Sequence, residues 1–153
     1  MLGQLLPPRI DNTYRGRKLG LWLFGIVVTV RILQSLVVIF NGHYVVQSAD
    51  GVPIETFAPA AAQTVVALFE LSALSRLFIF LLCVLTLVRY RSVIPFMFAF
   101  LIVYYLAGQL LLQFVPIVRV GTPRGPLVNL VLFFLLVIGL PLSLWKRADG
   151  VSA

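Results

Sequence analysis

Serine and threonine apart, the polar side chains that matter inside the long apolar runs of this chain are Arg31 and Gln34, Glu70 and Arg76, Tyr105, Gln109 and Gln113, and Asn129. They bring two permanent cations, one carboxylate, one phenol and a set of side-chain amides into surroundings that are otherwise almost wholly apolar. A guanidinium and a carboxylate can close a bidentate pair. Amides can satisfy the donors that such a pair leaves over. A guanidinium without a carboxylate must find water, a head group or another anion. Arg31 and Gln34, three apart, share a helix face, and Tyr105, Gln109 and Gln113 form one stripe at four-residue spacing. Glu70 and Arg76, six apart, point about 120° away from each other and therefore look for partners on other elements.

The expected arrangement is an Arg31–Glu70 pair, completed by Gln34, Gln109 and Asn129. Arg76 then remains as a positive charge without a counter-ion, and Arg119 and Arg124 add further charge at the mouth of the site. Two uses follow: a polar network that sets how helices pack, or a cavity that attracts an anionic head group or small anion.

Other chemistries lack parts. Glu70 is the only carboxylate inside an apolar run, and no nucleophile–base pair accompanies it. The single cysteine, Cys83, excludes an intramolecular disulfide and a paired-thiol oxidoreductase. The single histidine, His43, with Asp50 and Glu55, is a thin metal set without ligand spacing, so the reading is a solvated loop histidine, no metal and no cofactor. The chain reads as non-enzymatic.

The elements that carry these residues are set by composition. Of 153 residues, 61% are hydrophobic and only 11% charged, against about a quarter charged in soluble domains. Four runs are long enough to cross the hydrocarbon, which takes about 20 residues: about 19–40, 64–88, 93–116 and 127–145. Open sheet cannot span lipid, because its unpaired backbone groups cost several kcal/mol each. The fold class is therefore an all-α membrane protein, a single domain over 1–153 with four transmembrane helices in an antiparallel bundle. The first run is too long for a cleavable signal, and Arg31 interrupts it.

Basic residues orient the bundle. Arg9, Arg15, Arg17, Lys18, Arg89, Arg91, Lys146 and Arg147 flank one set of ends, and only Arg119 and Arg124 the other. Eight against two places both termini and the RYRS turn in the cytoplasm of a bacterial inner membrane. The same grouping explains the net charge of +7 without nucleic acid, for which no recognition motif is present.

Counted from the basic flanks at 1.5 Å per residue, Arg31, Arg76 and Tyr105 lie about 20 Å up and Gln34, Gln109 and Asn129 about 25 Å, with Glu70 about 28 Å and Gln113 about 31 Å. All fall between the midplane and the outer leaflet. In the first outer loop, HYVVQ and VPIETF flank an Asp-Gly turn, which predicts a short β-hairpin there.

Four further features carry a family resemblance: the Gly-Leu-Trp-Leu entry at Gly20 to Leu23, the long first outer loop, LFELS at Leu68 to Ser72, and the basic turn RYRSVIP. In these the chain resembles a bacterial four-span inner-membrane family of unknown function (the DUF2569-like proteins). The resemblance covers most of the chain in topology and few residues in identity, and it implies no catalytic residues. Small multidrug transporters also have four spans, but their membrane glutamate lies in the first helix rather than the second.

Small size and missing catalytic groups favour an accessory, assembly or stabilising subunit that associates with partner membrane proteins or with copies of itself. The alternative is a binder or transporter of a lipid head group or small anion, with an anionic lipid as the partner besides the bilayer.

Overall fold

The structure is a computed structural model that describes residues 10–14, 16–122 and 124–145. Of the orienting basic residues, Arg9, Arg15, Lys146 and Arg147 lie outside the described residues. Four long helices carry the fold: α1 (Lys18–Phe40), α2 (Pro59–Arg89), α3 (Ile94–Phe114) and α4 (Arg124–Leu144). Each is long and apolar enough to cross a membrane. Only 22–28% of their most apolar stretches is buried within the fold, so most of the leucine, valine and phenylalanine surface is left for lipid, as a multi-pass membrane protein requires.

Two prolines mark helix starts, Pro59 and Pro95, where the missing N–H costs nothing. α2 begins earlier than its apolar run, at Pro59 rather than 64, because the alanines of APAAAQ continue the helix. α4 likewise begins at Arg124, ahead of the apolar run.

α1 lies at the centre. It packs most extensively on α2 and next on α4, and α3 leans chiefly on α4. α2 and α3 share few contacts apart from the short turn Arg91–Val93 that joins them.

The bundle is tight at one end. Phe24, Val27, Val28, Phe80, Cys83, Ile94, Phe98, Leu101, Leu132 and Leu136 form one buried cluster drawn from all four helices. The Phe24 and Phe98 rings meet edge-on at 5.1 Å, the geometry that the ring quadrupoles prefer. Residues just before α1 tie this end together. Ser92 N–H and Oγ both donate to the Asp11 carbonyl, Arg17 N–H donates to the Leu142 carbonyl, and the Arg17 guanidinium lies 4.7 Å from the centre of the Trp145 ring.

Tyr14 Oη is buried there without a hydrogen-bond partner, and burial pushes the phenol up to about 12. An orphaned hydroxyl costs about 1–3 kcal/mol. Tyr14→Phe is therefore expected to unfold in detergent at the same temperature as the parent or higher, and a lower midpoint would show a partner for the hydroxyl.

The other end corrects the hairpin expectation. No strand occurs among the described residues. After α1 the chain makes a helical turn, Gly42–Tyr44, that widens into a π-turn, Val45–Ala49, and it closes with a 3-10 turn, Ile54–Thr56. A lone two-stranded hairpin leaves exposed edges and is marginal even in water. A helical turn satisfies its own backbone, and it brings Val46 onto the same side as Val52 and Ile54. These three are buried against Ala62, Val65, Val66 and Phe69 of α2. The Asp-Gly step remains a turn. Gly51 takes φ 70°, open to glycine and strained for other residues, and its carbonyl accepts from Val120 N–H of the second connection at 2.7 Å.

Candidate polar site between the helices

Arg31 sits near the middle of α1 and is half-buried. Its Nη1 donates to Asn129 Oδ1 of α4 at 2.5 Å and to Gln34 Oε1, one turn along its own helix, at 3.4 Å. The expected grouping of Arg31, Gln34 and Asn129 is thus present, and it lies across the α1–α4 contact. A short bond to a charged donor is the stronger kind, so Asn129 is the principal acceptor.

Glu70 is not the partner of Arg31. It packs on Gly42, where an added Cβ would stand 2.7 Å from Glu70 Cγ and 2.9 Å from Cδ. Gly42 lies eleven residues beyond Arg31, about 16 Å along a helix. The error came from the assumed register. Gly25 of α1 faces Leu87 of α2, so Arg89 does not start level with Lys18. α2 is shifted by about 7.5 Å, five residues, toward the loop end. The same shift accounts for Glu70 beside Gly42, since each stands 17 residues from the Gly25–Leu87 contact.

The shift also lifts Arg76 about 7.5 Å above Arg31. The two guanidinium groups still repel each other, and Tyr104 and Tyr105 lie within electrostatic reach of Arg31. Arg76 is half-buried, and its Nε is buried without a hydrogen-bond partner.

A carboxylate within electrostatic reach of Arg76 is Asp50, which the sequence places in a loop. The loop folds back so that Asp50 and Ala49 press on the first turn of α4. A Cβ on Gly125 would stand 2.8 Å from Asp50 Oδ1 and 3.0 Å from the Ala49 carbonyl, so glycine is the residue that fits. Burial pushes the Asp50 carboxyl up, and Arg119 and Arg76 pull it part of the way back. Asp-Gly ahead of an apolar helix marked a turn, but nothing in its spacing told that the turn returns to the bundle.

The stripe on α3 divides. Tyr105 stacks on Phe133 of α4 at 4.5 Å. Gln109 and Gln113 are exposed and make no hydrogen bond among the described residues. Beyond Leu101 no residue of α3 is fully buried, and a Cβ on Gly108 would meet nothing within 4 Å. Past the Tyr105 stack, α3 therefore packs only loosely on the rest of the bundle. His43, Asp50 and Glu55 do not converge: among the described residues no three groups of metal-ligand type come together, and Glu55 accepts instead from Gln47 Nε2.

Fold and site together define a four-helix, multi-pass membrane protein, packed at one end and carrying half-buried cations toward the other. No family model, no curated protein and no solved structure matches the chain.

Proposed function

We propose that this protein binds an anionic group, a lipid head group or small anion, at the arginines of its outer half, and performs no catalysis. In this reading the four helices run up and down as an antiparallel bundle in a bacterial inner membrane. Both termini are cytoplasmic, as the excess of Lys and Arg at that end supports.

The observation that carries the proposal is Arg76. Its Nε is removed from solvent without an acceptor, an arrangement that costs more for a charged group than for a neutral one. Arg31 is satisfied by neutral amides and keeps its charge uncompensated. Asp50 lies within electrostatic reach of both Arg119 and Arg76. A bound anion would supply the missing acceptor.

The test is thermal unfolding in a neutral detergent, titrated with inorganic phosphate and with a short-chain phosphatidylglycerol. At least one of them should raise the midpoint. Arg76→Gln should weaken that effect about tenfold, the value of one charge-assisted hydrogen bond. A parent protein whose midpoint responds to neither anion would sink the proposal.

A second reading, an accessory subunit or homo-oligomer, is favoured by α3. Gln109 and Gln113 are exposed on a helix that would face lipid, where side-chain amides are costly and usually bond across helices. A partner helix would cover them. After mild extraction, Gln109→Leu with Gln113→Leu should release the partner or the second copy. An unchanged particle size would count against it.

A further inference from the structure

We infer that the anion is the phosphate of an anionic phospholipid from the outer leaflet, entering sideways between α2 and α3; this rests on the anion-binding reading above.

The site is roofed. The first connection reaches from α2, where Val46, Val52 and Ile54 are buried against Val65, Val66 and Phe69, across to Gly125 of α4. Gly51 in that roof is bonded to Val120 of the second connection. A solute arriving from the water meets this layer first.

The side is open. α2 and α3 touch little beyond their turn. Beyond Tyr105 most residues of α3 are exposed, and a Cβ on Gly108 would meet nothing within 4 Å, so that end of the helix is loosely packed. The opening gives onto lipid, and a lipid can bring a phosphate through it without the acyl chains leaving the hydrocarbon.

The depth fits a head group. Arg76 is level with position 36 of α1, about 27 Å from Lys18, and the hydrocarbon is about 30 Å thick. The guanidinium thus lies at the outer hydrocarbon boundary, where glycerol and phosphate begin. Charge selects the class: Arg119 and Arg76 both act on one carboxylate, Asp50, and Arg31 adds a third positive charge within reach of Arg76. A phosphate without an amine is attracted there, and the ammonium of a zwitterionic head group is repelled by the same three cations.

Native mass spectrometry of the whole protein decides it, with equal amounts of phosphatidylglycerol and phosphatidylethanolamine offered in mixed micelles and inorganic phosphate as competitor. The expected result is one retained phosphatidylglycerol, little phosphatidylethanolamine and no displacement by millimolar phosphate. Retention should fall about tenfold in Arg76→Gln. Asp50→Asn removes no arginine and frees Arg76 from its internal counter-ion, so it should raise retention by about threefold; it decides the matter if Arg76→Gln does not fold. Equal retention of both lipids in parent and variants overturns the inference, as does an unchanged Asp50→Asn. Arg76-dependent binding of phosphate without phosphatidylglycerol overturns the lipid and keeps the anion site. Binding of none of the three ends both.

Discussion

Gly139→Leu in α4 is expected to destabilise the bundle by at least about 3 kcal/mol, whereas Gly108→Leu in α3 should leave it unchanged. The two glycines sit on facing helices in nearly equal hydrophobicity, and only their surroundings differ. A Cβ on Gly139 would stand 2.5 Å from Cζ and 3.3 Å from Cδ1 of Phe98. Phe98 cannot retreat, because it is fully buried and held edge-on by Phe24. Ile94 and Leu101 close the same cluster. Four added carbon atoms must therefore push α3 off α4 at the level where the buried residues of α3 meet that helix. At Gly108 nothing lies within 4 Å, and leucine there is another lipid-facing side chain. Unfolding of both variants by denaturing detergent, followed by helix content, measures the contrast. Equal losses would mean that α3 is packed along its whole length.

Asn129→Leu is expected to cost about 2–3 kcal/mol, because it takes the short acceptor from a guanidinium that is already half-buried. The double variant Arg31→Leu with Asn129→Leu should recover most of the loss, since removing both partners leaves no orphan. Asn129→Asp should restore an ionic partner and hold stability, yet weaken anion binding by cancelling one positive charge. The same unfolding assay, run as a double-mutant cycle, separates these outcomes. If the double variant were the worst of the three, the Arg31–Asn129 bond would matter less than the packing of the arginine stem.

Much of this was legible before the structure. Long apolar runs could only be helices in lipid, and α1, α3 and α4 lie close to where the runs put them. Arg31 with Gln34 followed from three-residue spacing, and Asn129 from its depth. Glu70 was misplaced because basic flanks mark an interface only to within a few residues. Five residues of slip between α1 and α2 are decided by which side chains interlock, Gly25 against Leu87, and no run of one helix records that. The hairpin failed for a different reason. HYVVQ is β-branched enough for a strand, but its neighbour was the end of a helix that could simply continue. Asp50 was read only as a loop residue beside His43 and Glu55, because it lies outside every span and comes within electrostatic reach of Arg76 only when the loop returns. Tyr105 kept its place by stacking on Phe133, whereas Gln109 and Gln113, on the same stripe, lost theirs when α3 parted from the bundle.

α2 has 31 residues and is about 46 Å long, roughly 16 Å more than a typical hydrocarbon layer. Its surplus is the stretch to which the first connection is fastened through Val65, Val66 and Phe69. The helix is in effect a ruler with a float attached. In a thin bilayer the float rides clear of the acyl chains. In a thicker one α2 must stand more upright or draw the float inward, at a cost of a fraction of a kcal/mol per ångström. Because the float carries Asp50, bilayer thickness and the charge on the arginine site become mechanically linked.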